Sequence, residues 1–217
     1  MNYSSRMFAL AGTAIAATLL ASCATAPPKA SGYVAPPVGS TLTIVQRNTG
    51  SYLAQMKVGE VQLPMTRGER TWEGKQVITF SSPQGTLLEA PEPSGAWIAI
   101  VGPGDAVLVK WDPPLAFSWP LEVGKTWSGS YRATYGTSQP VLFDTTCNVS
   151  AYEDVTVPAG TFKVFRIVCT HSTGQEDTFW YSHELGINIK TTSIRSASHR
   201  FGPGTQEQEL ISLNIKK

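Results

Sequence analysis

The chain has 217 residues, with 17 Lys and Arg against 16 Asp and Glu, three His, three Cys and a formal net charge of +1. So even a balance gives no electrostatic case for a nucleic-acid partner or for attraction to an anionic membrane surface. Nineteen Gly and 15 Pro are spread along it, which favours a turn-rich chain over long helices.

Residues 1–6 carry one cation, Arg6, and the 14 residues from Met7 to Leu20 are free of charge and rich in Ala, Leu and Ile. That run is shorter than the about 20 residues a spanning helix needs and fits the apolar region of a cleaved signal. It ends in Leu20-Ala21-Ser22-Cys23, which resembles the processing box of exported bacterial lipoproteins. There, small residues allow cleavage and the cysteine thiol is acylated. The resemblance implies a removed leader over 1–22, lipidation of Cys23 and membrane attachment through that lipid, each buried methylene contributing about 0.8 kcal/mol. The competing reading is an ordinary secretory signal with a chance cysteine. Removing the leader takes Arg6 and no acid, leaving 16 bases and 16 acids. Ala24 follows the cysteine. The resemblance to proteobacterial lipoproteins, in which Asp there retains the protein at the inner membrane, implies a place in the bacterial cell envelope on the outer membrane, facing the periplasm.

Residues 23–40 contain two Pro-Pro pairs among small residues and read as an extended, solvated tether. At about 3.1 Å per residue in a polyproline conformation, it would hold the folded part up to about 50 Å from the bilayer. Its expected role is spacing.

Residues 41–217 read as an all-β domain, divisible into sub-lobes 41–112 and 113–217. Short β-branched and aromatic runs recur between turn signals. The expected architecture is a single curved antiparallel sheet, half-barrel or open-barrel-like. Runs 96–101 and 106–111 flank the turn Gly102-Pro103-Gly104-Asp105 and are apolar on both faces, as a central hairpin would be. Residues 187–190 alternate, with one wet face. Residues 207–215 also alternate, with Ile211, Leu213 and Ile215 together, although 206–210 would suit a helix. Gly-Pro-Gly recurs at 202–204 as a second turn.

Beyond Cys23, only Cys147 and Cys169 remain. Both sit in strand-like runs flanking Pro158-Ala159-Gly160. In a regular hairpin centred on Pro158, Cys147 faces Cys169, Val149 faces Ile167, Ala151 faces Phe165 and Glu153 faces Lys163. Apolar and opposite-charge pairs are what cross-strand pairing favours. Directly opposed Cα atoms lie about 4.5 to 5.5 Å apart, within disulfide reach. An exported chain therefore should carry a Cys147–Cys169 disulfide. The alternative is a pair of buried free thiols; a redox role has no CxxC to support it.

Three phrases follow in order: 120–127 (PLEVGKTW), 157–162 (VPAGTF), and Trp180-Tyr181 before Leu185-Gly186. Together they resemble a group of uncharacterised bacterial exported β-domains, over residues 113–217. The resemblance implies a curved antiparallel sheet in a periplasmic or surface setting and carries no activity. In plain structural terms, Trp127, Phe162 and Trp180 are expected as core anchors.

No HExxH, GxSxG, P-loop or GxGxxG motif occurs, no His pair has metal-ligand spacing, and no cofactor or metal is implied. His171, beside Ser172 and near Glu176 and Asp177, reads as a solvated loop histidine. A hydrolase using His171 or His183 is a minor alternative. Binding is the stronger theme, because Trp97, Trp111, Trp119, Tyr131, Tyr135 and Tyr181 supply many rings. The leading expectation is a non-catalytic envelope lipoprotein that binds a partner protein or envelope component. Its rival is a carrier of a lipid or amphipathic ligand in a concave sheet.

Overall fold

A computed structural model describes residues 27–217; the leader and Cys23 lie outside the described residues. The strands are β1 (Thr41–Asn48), β2 (Glu60–Trp72), β3 (Lys75–Ser82), β4 (Gly85–Glu89), β5 (Trp97–Val101), β6 (Val107–Leu115), β7 (Thr126–Tyr135), β8 (Val141–Val157), β9 (Gly160–His171), β10 (Gln175–Ser182), β11 (Ile187–Arg195) and β12 (Gly204–Asn214). One short helix, α1 (Gly50–Met56), follows β1. Each strand pairs antiparallel with the next, and β1 pairs with β12.

That last pairing corrects the expected open sheet to a closed twelve-stranded barrel. The seam runs from Thr41 opposite Asn214 to Asn48 opposite Gln206. Closure pairs the backbone groups that two free edges would leave as docking templates. Alternation within a strand reports its faces and says nothing about its neighbours, so a seam between the two chain ends leaves no local mark. In the same seam Ile211 is bulged between Ser212 and Leu210. Leu210 is thereby fully buried and Ile211 is moved off the face it would share with Leu213.

Rings fill the barrel. Phe117, from the β6–β7 connection, meets Trp119, Trp127, Phe179 and Tyr181 edge-on, with centroids 5.4–6.4 Å apart. Trp97 joins through Phe179 at 5.6 Å. Trp127 is thus a core residue. Trp180 lies on the outer face of β10, its Nε1 donating to Glu153 and Lys190 over its ring.

Cys147 and Cys169 are opposed and joined by a disulfide facing this interior. Val149 faces Ile167 as expected, but the register then shifts. The turn has two residues, Pro158 and Ala159, between paired Val157 and Gly160, and Ser150 is a bulge. Each change displaces the pairing by one, and on the cysteine side of Ser150 they cancel. Between bulge and turn they do not. Ala151 faces Arg166 and Tyr152 faces Phe165, while Lys163 pairs with Asp154, their charges 2.7 Å apart. The bulge is held by Ser150 Oγ, which donates to the Arg166 carbonyl and accepts from Arg166 Nε.

A second, smaller core lies on the other face of β3 to β5. Arg70 of β2 reaches Asp105 in the β5–β6 connection, and Glu73 reaches Lys110 of β6. Four strand spacings would separate β2 and β6 by about 19 Å in a flat sheet. The sheet therefore curls into a trough floored by Val77, Leu88, Ala99 and Val101. β6 runs unbroken across positions 112 and 113.

The segment read as a free tether is packed against the barrel from Ala30 onward. Ala30 and Tyr33 are buried members of the main core. Ala30 exchanges two backbone hydrogen bonds with Leu121, Tyr33 N donates to Pro93 O, and Ala35 N donates to Glu92. The Val34 carbonyl presses on Gly186, which sits at φ +67° and has no room for a Cβ. This strap crosses the β4–β5, β6–β7 and β10–β11 connections and closes the barrel end at which β1 begins. Pro and small residues suit such a path because it needs few backbone donors and close approach.

Candidate functional site

At the opposite end, where β1 finishes, the closing element is α1. Thr49 N donates to Thr205 O and Ser51 N to Pro203 O, tying the helix to the Gly202-Pro203-Gly204 turn. Gly50, at φ +54°, abuts the Pro203 carbonyl. The helix thereby lowers Tyr52 into the barrel, 5% exposed. The Arg195 guanidinium lies 3.7 Å over the Tyr52 ring and 5.3 Å from that of Phe201, within cation–π range. Arg195 Nη1 donates to Gln55 Oε1 at 2.6 Å. Arg200 is exposed over the outer side of Phe201 at 4.6 Å.

A chain of polar side chains leads inward from Arg195. Its Nε donates to Gln175 Oε1, and Gln175 Nε2 donates to both Asp177 oxygens. Asp177 Oδ2 lies 2.8 Å from His171 Nε2, and His171 Nδ1 lies 2.7 Å from Thr145 Oγ1. His171 is therefore not the solvated loop residue the sequence suggests. β9 continues through it, the turn begins at Ser172, and its side chain is 7% exposed. Asp177 joins it because β10 points alternate residues inward; Glu176 faces out.

Electrostatics tie this end together. Burial, and secondarily the Asp177 charge, push the Tyr52 phenol up to about 12. Burial pushes the Tyr135 phenol up, Arg195 and Arg200 across the mouth pull it back, and Asp177 adds to the rise. His199 is held below the ordinary histidine range by burial first and then by Arg195 and Arg200. None of the ion pairs among the described residues involves Arg195 or Arg200. The mouth thus presents two guanidiniums without a carboxylate at contact distance. Around them stand Leu53, Met56, Tyr135 and Phe201, each 42–50% exposed.

The hydroxyl–imidazole–carboxylate chain has the members of a hydrolytic triad, but both ring nitrogens are engaged and Thr145 is 4% exposed. The void beside it, lined also by the disulfide, Trp127 and Tyr131, holds about 40 Å³. That admits one to a few waters, whereas ligand pockets start near about 300 Å³. His183 lies at the strap end against Tyr152 and Phe165, at centroid distances of 5.9 and 5.4 Å. No group of three His, Cys, Asp or Glu among the described residues is arranged to hold a metal ion. Sequence reasoning missed Tyr52, Arg195, Arg200 and Phe201. The 202–204 turn was its one visible trace, since that turn carries the carbonyl on which α1 sits.

A buried acid marks the strap end. Glu89 is 6% exposed and accepts from the Tyr33 hydroxyl at 2.8 Å. Burial raises its carboxyl to about 7, against the opposing hydrogen bonds of Tyr33 and Trp97 and the charge of Arg67. The Tyr33 phenol is raised in turn, by burial first and Glu89 second.

No protein-family model matches the chain, and no curated protein matches it. Three solved structures are similar in shape. One is a protein from Parabacteroides distasonis, provisionally named a lipoprotein: 12% identity, TM-score 0.45, 85% of this chain and 99% of that one. Another is an exported protein with a YmcC-like fold from Bacteroides fragilis: 10%, 0.47, 85% and 99%. The third is the hypothetical lipoprotein YmcC from Escherichia coli: 10%, 0.43, 80% and 84%. Likeness at this level transfers neither residues nor activity.

Proposed function

We propose that the chain is a lipid-anchored protein of the bacterial cell envelope, on the outer membrane and facing the periplasm, that acts as a binding module. Its partner is an acidic protein segment, engaged at the α1 end. One observation carries the binding half of this reading: Arg195 and Arg200 stand uncompensated among exposed Leu53, Met56, Tyr135 and Phe201. Apolar surface supplies affinity there, and the exposed Arg200 guanidinium selects a carboxylate by bidentate pairing. Arg195, held by Gln55 and Gln175, adds positive charge behind it. The lipid anchor rests on Leu20-Ala21-Ser22-Cys23, and the outer-membrane placement on Ala24. A carrier role inside the barrel loses its support because the sheet is closed and the void beside His171 is about 40 Å³. The larger cleft, about 420 Å³, lies outside along β2, β3 and the β4–β5 connection. It is lined by Arg67, Glu69, Gln76 and Glu92 as well as Val77 and Ile78, which suits a polar ligand better than a lipid chain. The occluded Thr145 gives hydrolysis no support either.

A photo-crosslinking residue at position 56, in intact cells, tests the reading. The expected adduct is with a protein whose contact segment is acidic, it weakens as salt rises, and Arg200→Glu abolishes it. Lys163→Glu, at the other end of the barrel, leaves it intact. Adducts indifferent to both salt and Arg200→Glu would contradict the proposal.

A further inference from the structure

We infer that the strap holds the barrel in one orientation, with its strap end resting on the lipid bilayer and its α1 end turned away. The inference rests on the lipid anchor at Cys23 proposed above and goes beyond it in fixing how the protein stands. Only residues 24–29 separate Cys23 from Ala30, which is buried and bridged to Leu121. A fully extended chain spans at most about 3.6 Å per residue, so Ala30 sits within about 25 Å of the acylated cysteine. The barrel is therefore held at half the distance a free tether would allow.

The surface nearest that anchor suits a bilayer. Val34, Val38 and Val123 are 54%, 57% and 40% exposed, and no described residue covers them. Basic side chains stand beside them. Lys29 precedes Ala30, and Lys216 packs along Gly39, with its backbone N–H on Ser40 Oγ. The acids of this end include Glu69, Glu92, Glu122, Asp154, Glu184 and the buried Glu89. Glu69 is paired with Arg67 at 2.8 Å and Asp154 with Lys163 at 2.7 Å. Glu122 is paired with Lys29 at 3.1 Å, and Glu92 accepts from Ala35 N. Apolar side chains rimmed by lysines match the boundary between headgroups and acyl chains. Because the strap is part of the core, it transmits orientation to the barrel, which a flexible linker cannot do.

Lipid-depth quenching tests this. A fluorophore is placed at position 123 or at position 56 in the full mature chain, bound to vesicles of phosphatidylethanolamine and phosphatidylglycerol that contain a shallow spin-labelled lipid. Quenching is expected at 123 and not at 56. Inserting a flexible Gly-Ser stretch between residues 26 and 27 should erase the difference. Equal quenching at both sites, or stronger quenching at 56, would overturn the orientation. Coupling Cys23 chemically to a maleimide lipid reads the orientation whether or not cells acylate it. Mass spectrometry of the cell-made N-terminal peptide tests acylation separately.

Discussion

Tyr33 and Tyr52 enter the barrel from opposite ends, both from segments outside the sheet and both 5% exposed. Tyr33 arrives on the strap and donates to the buried Glu89 carboxyl. Tyr52 arrives on α1 and carries the Arg195 guanidinium on its ring. The same plug is thus set against an acid at one end and a base at the other. At the strap end the charged group is sealed and its pKa moves. At the α1 end the Arg195 charge stays partly in solvent, and the exposed Arg200 beside it remains available. The difference separates an end built for closure from an end built for contact.

Breaking the plugs separately sharpens this contrast. Tyr33→Ala removes a buried ring and leaves Glu89 without its donor, and should cost about 3 to 5 kcal/mol in denaturant unfolding. Replacing both Cys147 and Cys169 by Ala should cost about 3 kcal/mol, as should reduction of the wild type, read from the same curves. An effect near zero would mean the β8–β9 hairpin is already formed in the unfolded ensemble.

The buried acid gives the strap end a pH signature. Glu89 binds its proton more tightly folded, at about 7, than unfolded, at 4.5. Its contribution is therefore complete below the unfolded value and is lost as pH rises through the folded one. Between pH 5 and 8 the wild type should lose about 2 to 3 kcal/mol from this source, and Glu89→Gln should remove that loss. His199 works with the opposite sign, because its folded value is depressed. Its contribution is present above about 6.5 and is lost as pH falls. Comparing Glu89→Gln with wild type across the range isolates the acid. At the α1 end, Arg195→Lys loses the planar stack on Tyr52 and should cost only about 1 kcal/mol, seen as a small fall in Tm. Its larger effect should fall on crosslinking to the partner.

Much of the fold was legible locally. The 96–111 hairpin, the alternation at 187–190 and the facing of Cys147 and Cys169 follow from periodicity and turn chemistry acting over short spans. Closure was not legible, because pairing of β1 with β12 joins residues about as far apart as the chain permits. The strap was misread for a related reason. Pro-rich composition reports that a segment forms no helix or strand, and it does not report whether loops elsewhere provide a bed for Tyr33. The α1 end assembles Tyr52, His171, Arg195 and Phe201 from four separate stretches, and no spacing rule connects them. His171 looked like a loop residue because the turn begins one position later than its flanking Ser and Gly suggest.

Amide hydrogen exchange at Ala30 and Tyr33 tests the central claim most directly. Both N–H groups donate to barrel carbonyls, at 3.0 and 2.9 Å. They should exchange as slowly as strand amides that need opening of the barrel. Exchange at the rate of an unstructured peptide, with the strands still protected, would show that the strap is a free tether. The closed end and the fixed orientation would then both be lost.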